Sequence, residues 1–191
     1  WETTQTLASD RVNGNKFYIC ANKGAKTDSE FYRSEDGGKT WRMVNNTDIA
    51  KCTAWDNTQV KTAPGIEGEV WVAMDIEGVY RSDDSGDTFT KVENVQRARL
   101  IAFGKPAPGS SVPSVYVLGT VHNVKDGIFR SDDLGKTWIR INDASSVVGN
   151  SPNTMEADKQ VFGQVFIGTN GSGVIRGYPK NTTPPSEISV I

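Results

Sequence analysis

The sequence predicts an all-β fold: a β-propeller of four-stranded antiparallel blades with Asp-box turns. Three observations carry this prediction. First, one short phrase recurs three times: Ser34-Glu35-Asp36-Gly37-Gly38-Lys39-Thr40-Trp41, Ser82-Asp83-Asp84-Ser85-Gly86-Asp87-Thr88-Phe89 and Ser131-Asp132-Asp133-Leu134-Gly135-Lys136-Thr137-Trp138. The copies start 48 and 49 residues apart, a period that belongs to propellers and solenoids. Second, each copy follows two runs of β-branched and aromatic residues bounded by Gly, Asn or Asp, which read as strands. Third, no stretch reads as an amphipathic helix longer than two turns.

Each repeat resolves into four elements, A to D. The A strands are expected at residues 3–8, 59–63, 99–104 and 153–157, and the B strands at 16–20, 69–74, 115–118 and 164–168. The C strands are expected at 31–34, 79–82, 128–131 and 174–177, and the D strands at 40–44, 88–92 and 137–141. A unit of under about 50 residues that cannot bury both faces alone is a blade. The fourth unit keeps its hairpin, has lost its box and lacks an outer strand. Blade limits follow at roughly 1–45, 46–94, 95–143 and 144–180, with residues 181–191 a Pro- and Thr-rich linker or tail, since consecutive prolines cannot form a ladder.

The box residues are expected to be structural: Ser34, Asp36, Gly38 and Trp41; Ser82, Asp84, Gly86 and Phe89; Ser131, Asp133, Gly135 and Trp138. The Asp carboxylate accepts backbone N–H groups across its own turn. The Gly two residues on supplies a backbone conformation that other residues avoid. The aromatic ring wedges between neighbouring sheets. Trp41, Trp71 and Trp138 therefore read as core residues on strands.

The 191 residues carry 21 basic and 23 acidic side chains, a formal charge of -2. This balance argues against nucleic acid and against an anionic membrane surface as partners. No apolar run reaches the roughly 20 residues that span a bilayer. No secretory signal is visible at Trp1, so the numbering reads as starting at a mature boundary. The two cysteines, Cys20 and Cys52, are too few for a disulfide framework, and both a bridge and two reduced thiols stay open. No cofactor and no metal site are expected. Sequons begin at Asn45, Asn170 and Asn181.

A resemblance to glycoside hydrolase family 74, the xyloglucan-cleaving endoglucanases, rests on an ordered set of longer phrases. They are Ser9-Asp10-Arg11-Val12-Asn13 with Lys16-Phe17-Tyr18, Pro64-Gly65-Ile66-Glu67-Gly68-Glu69-Val70-Trp71, and Phe103-Gly104-Lys105-Pro106-Ala107-Pro108-Gly109. Gly127-Ile128-Phe129-Arg130 running on to Trp138-Ile139-Arg140-Ile141-Asn142-Asp143, and Val165-Phe166-Ile167-Gly168-Thr169-Asn170-Gly171 with Gly173, complete the set. The resemblance implies two seven-bladed propellers with a glucan cleft between them, and places this chain in the last part of the second. It implies a catalytic carboxylate in a phrase like G-D-x-G-G-F and another in the first propeller. Neither phrase occurs here; the only Gly-Gly pair, Gly37-Gly38, lies inside a box. Inverting glycosidases need two carboxyl groups about 6.5–9.5 Å apart, so the resemblance implies no catalytic residue in this chain. The expected role is cleft wall and scaffold in a secreted enzyme, with xyloglucan or a related β-1,4-glucan as partner. The remainder of the parent enzyme, or self-association through exposed blade edges, is expected to cover the flanks. The alternative is a non-catalytic, lectin-like sugar-binding propeller.

Sugar contacts are expected on the B-to-C loops (22–30, 75–78, 122–126 and 169–173) and the D-to-A loops (45–58, 93–98 and 142–153), where the less repetitive connections gather. Trp55 beside Asp56 is the expected platform, an apolar ring with polar neighbours. His122, Asn123 and Asn170 are the further candidates for hydroxyl contacts. Asn170-Gly171 is equally a turn signal. Asp75 and Glu77 form a conceivable in-chain carboxylate pair, against the plainer reading of solvated turn charges.

Overall fold

The computed structural model describes residues 6–21, 29–45, 47–50, 58–143, 148 and 152–179. Within them the chain forms four antiparallel sheets of four, four, four and three strands, each in simple sequential order. Blade 1 holds β1 (Thr6–Ser9), β2 (Phe17–Ala21), β3 (Glu30–Ser34) and β4 (Arg42–Asn45). Blade 2 holds β5 (Thr58–Thr62), β6 (Val70–Met74), β7 (Val79–Ser82) and β8 (Thr90–Lys91). Blade 3 holds β9 (Val95–Gly104), β10 (Ser114–Val121), β11 (Val124–Ser131) and β12 (Ile139–Arg140). Blade 4 holds β13 (Thr154–Ala157), β14 (Val165–Gly168) and β15 (Val174–Gly177). No helix occurs among the described residues.

The blades stack in chain order. Their first strands touch in series, β1 to β5, β5 to β9 and β9 to β13, so A strands line the axis and D strands lie at the rim. A cavity of about 550 Å³ opens along this axis, lined among others by Arg11, Lys61, Glu156 and Lys159. Lys61 and Glu156 form an ion pair across it.

Second strands of blades 2 and 3 are covered on both faces by neighbouring sheets, which is why they read as continuous apolar runs, whereas β2 and β14 alternate in burial. All five residues of β6 are buried. Three apolar clusters fill the interfaces. Tyr18, Cys20, Phe31, Val60, Val72, Tyr80 and Phe89 join blades 1 and 2. Trp71, Val79, Val92, Ile101, Val117, Phe129 and Trp138 join blades 2 and 3. Leu100, Tyr116, Ile128, Met155 and Ile167 join blades 3 and 4.

The box is a closed hydrogen-bond unit. The Ser hydroxyl donates to the Asp carboxylate at 2.8, 2.7 and 2.8 Å in the three copies. The same hydroxyl accepts the Gly N–H at 2.9, 2.8 and 2.8 Å. The Thr N–H and hydroxyl both donate to the Asp, at 2.9 and 2.6 Å in every copy. The Gly φ angles of 88°, 86° and 85° explain the residue type. Because the Thr is held by the Asp, it does not enter the sheet. The D strands therefore start two residues later than the sequence suggests, at Arg42, Thr90 and Ile139.

Trp41 is a second correction. It lies before β4, not on it, and 37% of it is exposed, whereas Trp138 in the equivalent place is 8% exposed. Both indoles donate to the box Gly carbonyl at 3.1 Å, so the rings sit alike. The difference is cover: Trp138 meets blade 2, and no described residue stands where Trp41 points. Trp71 is fully buried, as expected.

A second buried carboxylate does similar work in the A-to-B loops. Asp10 accepts the N–H groups of Val12 and Asn13, the Tyr18 hydroxyl and the Gly68 N–H of the next blade. Burial pulls its pKa up, but these donors outweigh it and the net shift is downward. Asp158 repeats the motif in blade 4, taking Gln160 N–H, Val161 N–H and the Gln164 amide. Cys20 is buried in the blade 1–2 cluster. Cys52 and the 181–191 tail lie outside the described residues, as does Asn181.

Candidate functional site: the loop end of the blades

Antiparallel order puts A-to-B loops and boxes at one end of each blade, and B-to-C and D-to-A connections at the other. The second end carries the sequence-predicted sugar contacts. It is uneven in height. Counted from the equivalent Val115 and Val70, each paired with its box Ser, strand β10 runs two residues further than β6, so at about 3.4 Å per residue the blade 3 hairpin stands roughly 7 Å taller. It bends at a register shift beside Gly119, where an added Cβ would lie 2.0 Å from the Arg97 carbonyl oxygen. Glycine alone fits there.

His122 and Asn123 form the two-residue tip of this hairpin, with φ of 50° and 62°. Positive φ at both central positions is the type I′ pattern, whose twist matches the flanking strands. Residues 124–126 are thus strand and not loop, a correction to the 122–126 connection. Strand β9 likewise begins at Val95, inside the expected 93–98 loop. Both tip side chains are exposed. Their backbones are anchored to the preceding strand and turn: His122 N–H donates to the Asn94 carbonyl at 2.8 Å, and Asn123 N–H to Gln96 Oε1 at 3.1 Å.

Below the tip, Asp75 and Arg97 pair through two bonds of 2.6 and 3.3 Å. Asp75 sits at φ 42° and its carbonyl accepts the N–H groups of Gly78 and Ala98. The Asp75 carboxylate therefore ties blade 2 to blade 3, which takes it out of any acid–base pair with Glu77. Ile76, in the same turn, is 56% exposed. With Val124 beside the tip and Val174 in blade 4 also exposed, the end offers scattered apolar side chains beside amide, imidazole and guanidinium groups.

Asn170 is exposed in the B-to-C turn of blade 4. Thr169 closes that turn, donating from N–H and Oγ1 to the Gly173 carbonyl at 3.0 and 2.8 Å. His122, Asn123 and Asn170 share an end of adjacent blades, but no contact joins the tip of blade 3 to Asn170 among the described residues. Trp55 and Asp56 lie outside the described residues. Sequence reasoning missed Arg97 and Gln96. The signal was the charge in an otherwise apolar strand, since a Gln-Arg pair at the start of β9 has no place in a buried sheet.

No group of three or more metal-ligating side chains occurs among the described residues. The box carboxylates are engaged as described above. The bonds from Thr40 and Ser34 hold the Asp36 carboxyl down at about 2, against an ordinary 3.8. For Asp84 and Asp133 burial acts upward, and the Thr and Ser bonds outweigh it to give a net lowering. Such acids stay ionised and acceptor-only, the opposite of a general acid.

Comparison with known proteins adds the following. The repeat profile described as BNR-Asp box repeat matches residues 128–141. A xyloglucanase of Acetivibrio thermocellus is 42% identical over 178 residues, 93% of this chain and 20% of that protein. The oligoxyloglucan-reducing end-specific xyloglucanase of Emericella nidulans is 32% identical over 177 residues, 90% of this chain and 21% of that protein. The crystal structure of the family 74 xyloglucanase from Xanthomonas campestris superimposes with a TM-score of 0.75 at 28% identity, covering 93% of this chain and 24% of that one. The chain spans about a fifth of the length of the curated relatives it matches.

Proposed function

Because the chain is, along at least 90% of its length, the counterpart of one stretch of the glycoside hydrolase family 74 xyloglucanases, we propose that it is an arc of such an enzyme's propeller. In this reading it supplies a wall of a xyloglucan cleft and the scaffold behind it, while the reacting carboxyl groups lie outside these residues. The observation that carries the reading is the unbroken likeness to xyloglucanases over 178 residues at 42% identity. The raised blade 3 hairpin, with His122 and Asn123 at its tip and Asn170 on the next blade, is the candidate wall. Trp55 and Asp56 complete the proposed set of sugar contacts. An apolar surface with convergent hydrogen-bonding groups suits a pyranose, whose C–H faces pack on rings and whose hydroxyls take amides.

The reading places four of seven blades here, and it brings three further consequences. A polysaccharide is too large to cross a bilayer, so the site of action is extracellular; the described residues contain no helix long and apolar enough to span a membrane. The two outer flanks of the arc are covered by the remainder of the parent enzyme or by another copy. The chain alone does not hydrolyse its substrate.

Incubating the purified chain with tamarind-type xyloglucan and assaying new reducing ends tests the last point. No release above a heat-treated control is expected. Sustained release would put the catalytic pair inside these residues and end the reading.

A further inference from the structure

Every blade carries the same cross-strand pair on the face it turns to the next blade: an aromatic residue on strand B opposite an arginine on strand C. The pairs are Tyr18–Arg33, Trp71–Arg81, Tyr116–Arg130 and Phe166–Arg176. Where a box-bearing blade follows, its box lodges against this pair or its strand neighbours. Arg33 donates to the Ser85 carbonyl at 2.8 Å and pairs with Asp87 at 3.2 Å. A Cβ on Gly86 would lie 2.2 Å from the Phe31 ring, and Phe89 meets that ring edge-on at 4.9 Å. One blade on, a Cβ on Gly135 would lie 2.8 Å from the Trp71 ring, and Arg81 borders a cavity shared with Asp132, Asp133 and Lys136. The box is a plug and the aromatic–arginine face its socket.

Among the described residues the two ends of the arc hold one unfilled half each. The plug of blade 1 is open among the described residues: nothing approaches a Cβ on Gly37, and only Trp41 approaches one on Gly38. Its face continues as an apolar row, Leu7, Ile19, Tyr32 and Met43, paired strand to strand. The equivalent rows in the next blades, Val60–Val72–Tyr80 and Ile101–Val117–Phe129, are buried. Among the described residues the socket of blade 4 is open too: Arg176 is exposed, held by Gln164 at 2.9 Å and by the Tyr178 ring at 5.6 Å, and Val174 beside it is 71% exposed.

We propose that two copies of this chain associate head to tail, the blade 1 plug of each seated in the blade 4 socket of the other. This rests on the reading of the chain as an arc with open flanks and names what covers them when the chain is alone. The argument is continuity with the two interfaces already inside the chain. Two such contacts related by a twofold axis close a ring of eight blades, within the range propellers adopt, so the assembly stops at a dimer. One mismatch tunes it. Lys39 stands where Asp87 meets Arg33, and it faces Arg176 with like charge.

Sedimentation velocity over a concentration series tests the proposal. The expected result is a reversible dimer of twice the 20.8 kDa chain mass. Trp41→Ala and Arg176→Ala should each weaken it by on the order of tenfold or more. Lys39→Asp should tighten it. Thermal melts of the variants within two degrees of the parent confirm folding. A monomer throughout the series overturns the proposal, as does association that Arg176→Ala leaves untouched, the mark of plug-to-plug pairing. Either result leaves the xyloglucan reading standing.

Discussion

The box serine looks incidental in the sequence, yet it ties its turn together. Ser131 is 1% exposed and its hydroxyl links the Asp133 carboxylate to the Gly135 N–H. Ser131→Ala leaves a buried N–H without a partner, and the expected loss is about 2 kcal/mol in urea denaturation. The carboxylates set the acid behaviour. Their folded pKa values lie below the ordinary value, so the stability they confer is present above about pH 4. It is lost as pH falls toward the value of about 2 given by Asp36. Thermal midpoints should be level from pH 6 to about 4 and fall below that. Asp133→Asn should lower the neutral midpoint and remove part of the acid slope; an unchanged slope across all three box Asp→Asn variants would refute the linkage. At this scale the box was legible because S-x-D-x-G-x-T is local chemistry. The Asp10 hub was not, since its Gly68 partner is 58 residues away.

Strands B and C of the inner blades were legible because both faces are largely covered, which forces near-continuous apolar or aromatic runs. D strands and connections were less so. Two or four residues of D strand carry little periodicity, and the long blade 3 hairpin hides its extra length in Val124, Lys125 and Asp126, where two charged residues interrupt the apolar run. The hairpin tip makes its own prediction. Positive φ at Asn123 favours Gly or Asn and excludes β-branched residues. Asn123→Gly should leave the melting midpoint level or slightly raised, while Asn123→Val should cost about 1–2 kcal/mol. Xyloglucan-binding loss in both variants would assign the Asn123 amide to the sugar; retention in Asn123→Gly would assign its role to the turn. Of the proposed contact residues, His122 and Asn123 lie at the tip of the blade 3 hairpin and Asn170 in the B-to-C turn of blade 4. Which hydroxyls they meet depends on a ligand and on Trp55 and Asp56, so no local pattern reveals it.

At the scale of the molecule, blades are held by their neighbours, and the same residue behaves differently at an inner interface and at a flank. Gly38 and Gly135 share a φ near 85–88°. An alanine at either pays about 1–2 kcal/mol of backbone strain. Only at Gly135 does the new methyl group meet Trp71, adding a further overpacking cost of about 1–3 kcal/mol. Denaturant titrations of Gly38→Ala and Gly135→Ala at a concentration that keeps the chain monomeric should differ by that amount. Equal losses would mean the inner interface is not seated as described. The period of 48 and 49 residues announced the blade count and the missing outer strand announced exposed flanks, but the different exposure of Trp41 and Trp138 did not show in the sequence, because they stand in the same phrase and only their neighbours differ. Function belongs to the surface the arc presents and not to the fold itself. Affinity electrophoresis of the purified chain through gels with and without xyloglucan tests that most directly. Retardation that grows with polymer concentration, and weakens in Trp55→Ala and His122→Ala, is the predicted result. Equal mobility in both gels at the highest polymer concentration would contradict a xyloglucan-facing wall.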